Sequence, residues 1–259
     1  MIVVTGATGN VGRPLAEALT AAGEEVRAVS RRGQFPGDLS DAASLRPAFE
    51  GASAVFLLLS PGFRGPLSPV LDQMGGARVV LLSSQGVGTG RHPAFFEDAV
   101  RGSGLEWTVL RPGGFASNAL QWAESVRSSR TLAAPFGDVG LPVIDPEDIA
   151  SVAAACLLDP SHAGRTYELT GPAPISPREQ AAAIGTALGE PVRFISQTRE
   201  EALSAMSGFM PAEVAEATLD ILGTPLPAEQ RVSPDVAQVL GRPARPFADW
   251  AVRTAAAFK

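Results

Sequence analysis

The chain has 259 residues, of which 45% are hydrophobic and 19% are charged, so it carries enough apolar material for one or two folded domains and is not a disordered chain. Its net charge of −6 argues against direct binding to nucleic acid, its apolar runs fall short of the about 20 residues that span a bilayer, and its first residues lack the positive charge of a signal peptide. One cysteine, Cys156, and two histidines exclude an internal disulfide and predict no metal site, so we expect a cytoplasmic protein.

The first half of the chain alternates short apolar runs with helical patterns. The apolar runs predict strands over residues 1–4, 26–29, 54–59, 77–82 and 107–110, and the helical patterns lie over 10–22, 44–49 and 94–101. Strands that alternate with helices are typical of βαβ units. The pattern therefore predicts an α/β fold with a Rossmann-like, doubly wound parallel sheet.

The second half changes in character after Pro112, where prolines become frequent. Helices are predicted over residues 146–158, 177–188, 199–207, 211–222 and 246–258, with one late strand over 165–169. We expect a single nucleotide-binding unit with a core over 1–112 plus 141–172. A small, mainly C-terminal substrate-binding cap is expected over 113–140 plus 173–259.

Three glycines, Gly6, Gly9 and Gly12, follow the first strand and open the first helix. Gly6 allows the tight turn, Gly9 lets the backbone approach a diphosphate, and Gly12 lets the helix pack close to the strand. The amide groups at the helix N-terminus then face the phosphates. We predict that a dinucleotide binds residues 6 and 8–12, that is Gly6, Thr8, Gly9, Asn10, Val11 and Gly12. The alternative is a glycine-rich turn without a ligand.

The end of the second strand predicts which dinucleotide binds. Ser30 stands where an acidic residue would bind the ribose of NAD, and Arg31 and Arg32 follow it. A guanidinium suits a 2′-phosphate, so we expect NADP(H) to be preferred over NAD(H). The alternative is that both arginines lie in a solvated loop. Asp38 and Leu39 are expected beside the adenine, although Asp38 fits a turn nearly as well.

Further contacts to the cofactor are predicted where later strands end, because ligands of open α/β sheets bind at the carboxyl edge. This set comprises Leu58, Leu59, Ser60, Ser83, Pro112 and Gly113. Hydrogen bonding at the strand end is the alternative role for Ser83.

Several segments together resemble the NmrA-like proteins, an atypical branch of the short-chain dehydrogenase/reductase superfamily. They are TGATGNVG (5–12), GDLSD (37–41), SGLEWTVLRPG (103–113) with Phe115 and Asn118, YELTGP (167–172) and GRPA (241–244). The resemblance implies a Rossmann fold with a small cap and NADP(H) lying across the sheet. It implies members of two kinds, namely reductases of quinones, dyes or similar acceptors, and redox sensors that bind the dinucleotide without turnover.

The chain departs from that superfamily in two places. Typical members use a Tyr-x-x-x-Lys pair as proton donor, but residues 90–99 hold neither type, and the only tyrosine and lysine of the chain are Tyr167 and Lys259. In addition, only residues 33–36 separate the second strand from Gly37, where a helix and a strand usually fit. We therefore expect a shortened sheet edge and an open adenine pocket.

Without the tyrosine, hydride transfer must depend on positioning, which favours a conjugated acceptor whose charge is delocalised. Ser84, Gln85 and His92 are the candidate catalytic residues, with His92 as a proton donor; the alternative for His92 is an exposed loop residue. Phe63, Phe115, Asn118 and Trp122 are candidates for an apolar substrate pocket.

The sequence thus predicts an NADPH-dependent oxidoreductase that reduces a small conjugated or carbonyl acceptor, quinone-like or dye-like. The alternatives are an NADP(H)-binding sensor without turnover and a non-redox tailoring enzyme on the same fold. We expect a small apolar or aromatic substrate, no membrane or nucleic-acid partner, and a monomer or homodimer.

Overall fold

The computed structural model describes residues 1–30, 35–59 and 62–259 and divides them into two units. The first unit comprises Met1–Pro112, Pro146–Leu169 and Asp235–Arg242, and the second comprises Gly113–Asp145, Thr170–Pro234 and Pro243–Lys259. The strands are β1 (Ile2–Thr5), β2 (Val26–Ser30), β3 (Phe35–Pro36), β4 (Ala54–Leu58), β5 (Arg78–Leu82), β6 (Trp107–Pro112), β7 (Thr131–Ala134), β8 (Arg165–Leu169) and β9 (Arg193–Ser196).

The α-helices follow the same chain order. They are α1 (Gly12–Ala21), α2 (Ala42–Phe49), α3 (Ser68–Asp72), α4 (Gln85–Gly88), α5 (Phe95–Arg101), α6 (Ala123–Ser129), α7 (Pro146–Leu158), α8 (Pro177–Leu188), α9 (Arg199–Met206), α10 (Ala212–Gly223), α11 (Pro227–Gln230), α12 (Asp235–Leu240) and α13 (Phe247–Thr254). Short 3₁₀ helices lie at Ala116–Trp122, Pro160–His162 and Ala255–Phe258.

The first unit is built on a parallel sheet with the strand order β3-β2-β1-β4-β5-β6-β8. The order reverses between β1 and β4, and ligands of open α/β sheets bind at such a switch point. The predicted α/β, Rossmann-like fold is therefore confirmed. Because both faces of a parallel sheet are covered, its central strands are mainly apolar: β4 is apolar throughout, and β5 is apolar after Arg78.

Alternating residues of the central strands face the two layers of helices. On one face Val3, Val55, Val79 and Val109 form a buried cluster with residues of α2, α3 and α5. On the other face α7 packs against β4, β5 and β6, and α1 packs against β1, β2 and α7. This sandwich fixes the carboxyl edge of the sheet, where the candidate site lies.

The outer edge of the sheet is short, as expected, but it keeps a third strand, the two-residue β3 beside β2. Arg27 on β2 supports this edge. Its guanidinium donates hydrogen bonds to the carbonyl oxygens of Pro47, Ala48 and Glu50 at the end of α2, and it stacks over the Phe35 ring at 5.4 Å. The Arg27 side chain thus satisfies free carbonyl oxygens at the C-terminus of α2 and covers the edge strand β3.

The second unit contains a two-stranded parallel sheet of β7 and β9, which the periodicity analysis did not predict. Its core includes Leu132 of β7, Ile184 of α8 and the aromatic rings of Phe247, Trp250 and Phe258. The predicted helix 246–258 is α13 followed by a 3₁₀ turn. Ser176 and Glu179 form a capping box that begins α8 at its predicted position.

Three segments lie in a different unit from the one predicted. Residues 141–145 and 170–172 were expected in the core, but they belong to the second unit. Residues 235–242 were expected in the cap, but they belong to the first unit, where α12 packs against α7 and β8. Two polar contacts hold the segment there: the Asp235 carboxylate accepts a hydrogen bond from the Glu168 amide at 2.7 Å, and Arg242 pairs with the buried Asp148 at 2.8 Å. Among the described residues no helix has the length and apolar character needed to cross a membrane.

Candidate functional site

The glycine loop joins β1 to α1, and both Gly9 and Gly12 approach the carbonyl oxygen of Gly6 closely. Gly6 has a φ of +65°, and its carbonyl oxygen accepts a hydrogen bond from the Gly9 amide at 2.9 Å. A Cβ atom at Gly12 would lie 2.2 Å from that same oxygen, so α1 can begin here only with glycine at position 12. At Gly9 an added Cβ would meet, within the described structure, only Gly6 O at 3.3 Å. The outer side of Gly9 is therefore open to a ligand.

The N-terminus of α1 suits an anion. Val11 occupies the N-cap position and supplies no side-chain cap, and the first turn carries no acidic residue. The positive end of the helix dipole is therefore not neutralised by the helix itself. Thr8 and Asn10 are exposed beside it. This arrangement can hold a diphosphate, as predicted from the glycine spacing.

Thr5 joins β1 to β4 beneath the loop, and sequence reasoning did not single it out. Its hydroxyl donates to Phe56 O at 3.0 Å and accepts from the Leu58 amide at 2.8 Å, and the residue is only 3% exposed. The hydroxyl thereby fixes where both strands end at the switch point. Its position directly before Gly6 was the available signal.

A pocket opens at this switch point between the ends of β1, β2 and β4. It is lined by Thr5, Gly6, Thr8, Val29, Ser30, Gly37, Asp38, Leu39, Leu45 and Leu58. Of the predicted cofactor residues, the pocket brings together Gly6, Thr8, Asp38, Leu39 and Leu58. Leu58 packs against Gly6, where an added Cβ would come within 3.1 Å of its side chain.

Asp38 forms a turn at the wall of this pocket. One of its carboxylate oxygens accepts hydrogen bonds from the amide and the hydroxyl of Ser40, at 2.9 and 2.6 Å. The Asp38 amide donates to Ser44 Oγ at 3.0 Å. The turn expected as the alternative is thus present, and it places the carboxylate at the pocket wall. Arg31, Arg32 and Ser60, which were predicted to bind the cofactor, lie outside the described residues.

The three candidate catalytic residues lie in one segment that follows β5. Ser84 is the N-cap of α4, and its hydroxyl oxygen accepts a hydrogen bond from the Gly86 amide at 3.1 Å. Gln85 is buried. The His92 amide donates to Gly86 O at 2.9 Å, and its exposed imidazole lies against Gly86, where an added Cβ would be 2.4 Å from Nδ1. The segment therefore brings a hydroxyl, an amide and an imidazole to one end of the sheet.

Ser83 makes a hydrogen bond at the strand end, the alternative to its predicted cofactor contact. Its hydroxyl donates to Glu97 Oε1 at 2.6 Å, so its proton is used within the fold. Glu97, on α5 and 1% exposed, also accepts two hydrogen bonds from Arg111 at 2.9 and 2.6 Å and pairs with Arg101 at 2.9 Å. Sequence reasoning missed Glu97; the signal was its place three residues before the buried Val100, on the inner side of a short helix.

Residues 90–99, the stretch that holds neither tyrosine nor lysine, include the end of the segment with the candidate catalytic residues and most of α5. Glu97 is a buried residue of this stretch. The only tyrosine of the chain, Tyr167, lies on β8 and its hydroxyl contacts His162 Nδ1 at 2.7 Å. Burial raises the pKa of this phenol above its usual value. Tyr167 is therefore held in a structural contact.

The remaining predicted contacts fall in both units. In the first unit Leu59 and Phe63 pack against the buried cluster of the sheet, with the Phe63 ring 5.6 Å from that of Phe96, and Pro112 ends β6. In the second unit Gly113 precedes a 3₁₀ helix that carries Asn118, exposed, and Trp122, packed on the aromatic core, and Phe115 bridges to Ile144. The cofactor contacts of Leu59, Pro112 and Gly113 stay a prediction, and so does the substrate pocket of Phe63, Phe115, Asn118 and Trp122.

The cysteine thiol and the possible metal ligands also bear on the chemistry of the protein. Burial raises the pKa of the Cys156 thiol to about 12, so the thiol stays protonated and unreactive at neutral pH. The described residues contain no group of three or more His, Cys, Asp or Glu side chains placed to hold a metal ion.

A profile of the NAD(P)H-binding family matches residues 6–160, which include the glycine loop and the candidate catalytic segment. The chain is 37% identical to the (4-alkanoyl-5-oxo-2,5-dihydrofuran-3-yl)methyl phosphate reductase of Streptomyces griseus, over 100% of this chain and 99% of that protein. It is 33% identical to the NAD(P)H azoreductase of Xenophilus azovorans, with the same coverage of both chains.

Solved structures share the fold. The NADPH-dependent quinone oxidoreductase of Escherichia coli, complexed with NADPH, superposes with a TM-score of 0.80 at 22% identity, over 98% of this chain and 99% of that one. The negative transcriptional regulator NmrA in complex with NAD gives a TM-score of 0.74 at 22% identity, over 97% and 94%. These similarities confirm the fold that the sequence predicted.

Gly9→Ala and Gly12→Ala separate the role of the glycine loop in binding the coenzyme from its role in the packing of α1. We expect Gly9→Ala to keep its melting temperature within about 2 °C but to weaken NADPH binding about 10-fold, because the new methyl group occupies the open side of the loop. Gly12→Ala should lower both the melting temperature and the affinity, since its methyl group meets backbone. Calorimetric titration and thermal unfolding measure these effects. Unchanged affinity of Gly9→Ala would contradict a diphosphate at this position.

We predict that Glu97 makes a pH-dependent contribution to the free energy of unfolding. Burial raises the pKa of its carboxyl, but hydrogen bonds from Arg111 and Ser83 and the charges of Arg111 and Arg101 outweigh burial and hold the pKa below its ordinary value of 4.5. The stabilisation is therefore present above pH 4.5 and is lost as the pH falls through the lowered value. Glu97→Gln should lose about 3 kcal/mol of unfolding free energy at neutral pH, and less at pH values below about 4.5.

Urea denaturation across the pH range measures this difference between wild type and variant. The control is Glu124→Gln, which removes a carboxylate that is 79% exposed and paired with Arg127. We expect it to cost less than about 1 kcal/mol at any pH. A cost of Glu97→Gln that stays constant from neutral pH to pH 4 would contradict the assigned ionisation.

Proposed function

Because this chain belongs to the NAD(P)H-binding family, we propose that it is an NAD(P)H-dependent reductase that prefers NADPH and reduces a small acceptor with conjugated double bonds. The observation that carries the proposal is the pocket at the switch point, which joins the glycine loop, Thr5, Asp38 and Leu58 at the carboxyl ends of β1, β2 and β4. Reductases that are 33–37% identical along the whole chain support the reaction type.

The acceptor class follows from the compounds in the relatives' names and from the side chains after β5. The Streptomyces protein is named for an acyl dihydrofuranone phosphate and the Xenophilus protein for azo compounds, and both classes carry conjugated acceptors. A conjugated acceptor spreads the charge that hydride transfer leaves behind, so it needs no strong acid. Ser84, Gln85 and His92 offer a hydroxyl, an amide and an imidazole for this task, which suits such an acceptor.

The chain's residues bind and orient, and the nicotinamide supplies the hydride. The glycine loop and the N-terminus of α1 would hold the diphosphate, and the pocket would hold the adenosine half of the coenzyme. Three strand spacings of about 4.8 Å separate β2 from β5 along the sheet edge, so Ser84 and Gln85 are the residues that would lie on the nicotinamide side. Ser84 uses its oxygen for the N-cap and keeps its hydroxyl proton for an acceptor oxygen. His92 is the proposed proton donor for the reduced product.

The NADPH preference rests on the side chains around the ribose. Ser30 lines the pocket and carries no negative charge that would repel a 2′-phosphate. Arg31 and Arg32 follow it in the sequence and supply the cations that pair with such a group. Cytoplasmic localisation, an apolar substrate and a monomeric or homodimeric state stay predictions.

A panel of acceptors tests the reductase proposal. Purified protein is mixed with NADPH and, in separate reactions, with a quinone, an azo dye and an acyl dihydrofuranone, and NADPH oxidation is followed by absorbance. We expect at least one acceptor to be turned over at about 1 s⁻¹ or faster, well above the protein-free control. Tight NADPH binding without oxidation by any acceptor would instead support the sensor reading, and no binding of either coenzyme would remove the proposed site.

Arg31→Ala tests the coenzyme preference. We expect the dissociation constant for NADPH to rise about 10- to 100-fold, because a charge-assisted bidentate contact to the 2′-phosphate is lost, while that for NADH changes less than about 3-fold. Arg165→Ala, an exposed arginine at the amino end of β8, is the control and should change neither constant. Equal weakening of NADPH and NADH by Arg31→Ala would show that Arg31 does not read the phosphate.

A further inference from the structure

We propose that Glu97 and Arg111 are positioning residues, a buried carboxylate–guanidinium pair that locks the catalytic segment, residues 84–92, against the sheet. The inference rests on the proposed function, since the segment carries the candidate residues Ser84, Gln85 and His92. Neither Glu97 nor Arg111 lines the pocket at the switch point, whose walls come from the ends of β1, β2 and β4, the turn after β3 and Leu45 of α2. Their effect must therefore reach the reaction through the segment.

The first step is the way Glu97 joins three elements. From α5 its carboxylate accepts the hydroxyl of Ser83, directly after β5, and two N–H groups of Arg111 on β6. Arg101, one turn along α5, adds a second cation. The residue is 1% exposed, so these charge-assisted bonds replace all of its hydration. The pair thus fixes the β5 end immediately before Ser84.

The second step is the contact between Arg111 and the segment. A Cβ atom at Gly88, the last residue of α4, would lie 2.9 Å from Arg111 Nη1 and 3.3 Å from Glu168 Oε1. The backbone of α4 therefore rests directly on the guanidinium, with Glu168 beside it. Glu97 holds that guanidinium by two hydrogen bonds, so the carboxylate sets the position of the surface that α4 rests on.

The third step is the weakness of α4 on its own. It has four residues, which is too short to be stable without outside support. Within the segment, the amides of Gly86, Val87, Thr89, Gly90 and His92 donate to Ser84 Oγ, Ser84 O, Gln85 O, Val87 O and Gly86 O, so the short turns are bonded to one another. His92 in turn packs on Gly86. A shift of Arg111 would therefore move Ser84 and His92 together.

The test compares three variants that weaken the Glu97–Arg111 pair with one variant that destabilises α5 but leaves the pair intact. Glu97→Gln removes the charge, Ser83→Ala removes one donor, and Arg111→Lys keeps the charge but loses the bidentate geometry. The matched control is Val100→Ala, which truncates a fully buried apolar side chain of α5. Each full-length protein is studied by amide hydrogen exchange, NADPH titration and steady-state kinetics.

We expect the amides of residues 85–92 to exchange about 10-fold faster or more in Glu97→Gln, and about 3-fold faster in Ser83→Ala and Arg111→Lys, with β1 and β4 unchanged. kcat for the acceptor should fall about 10-fold in Glu97→Gln, while the dissociation constant of NADPH stays within about 2-fold. Val100→Ala should lower the melting temperature and leave both the exchange of residues 85–92 and kcat as in wild type.

Unchanged exchange of residues 85–92 in the variants of the pair overturns the inference, and so does an equal change in Val100→Ala. If Glu97→Gln does not fold, Ser83→Ala and Arg111→Lys decide by the same exchange criterion. A wild-type protein that reduces no acceptor refutes the proposed function alone, because the exchange measurement still reports whether the pair locks the segment.

Discussion

The close approach of α1 to the turn after β1 is the constraint on which the candidate site depends. With only 2.2 Å between a hypothetical methyl group at residue 12 and Gly6 O, no other residue type fits there. That approach aims the helix N-terminus along the sheet edge, and Thr5 then ties the turn to β4. The proposed diphosphate site, the pocket beside it and the start of the neighbouring helix layer all follow from this one geometry.

A second rigid region lies at the ends of β5 and β6, and it depends on a buried carboxylate and its ion pairs, not on close backbone packing. Burying a carboxylate is unfavourable unless its lone pairs are satisfied, and Glu97 meets that condition with two arginines and a serine. In the stretch where a tyrosine–lysine pair would be expected from the family resemblance, the chain carries Glu97, whose arginine partners come from the end of α5 and from β6. The candidate site thus combines a rigid base with a hydroxyl, an amide and an imidazole, in keeping with the proposed acceptor, which needs orientation more than acid catalysis.

The sequence predicted those elements whose signals are local. Helices α7 and α8 and strand β8 have the predicted bounds. Both helices begin at a proline, and a capping serine precedes α8. The glycine spacing likewise gave the loop. Strands β7 and β9 were missed, since Thr131–Ala134 contains helix-favouring alanines and pairs with a segment far along the chain. Glu97 was missed for a related reason: its partners Ser83 and Arg111 come together only once β5 and β6 are paired.

The buried thiol of Cys156 has a practical consequence for experiments in solution. With its pKa near 12 and no second cysteine in the chain, the native protein offers maleimide and iodoacetamide reagents no reactive sulfur at neutral pH. A cysteine introduced at any exposed position would therefore be the single point of attachment for a fluorophore or a spin label. Distances and motions could then be followed spectroscopically in the otherwise unaltered protein.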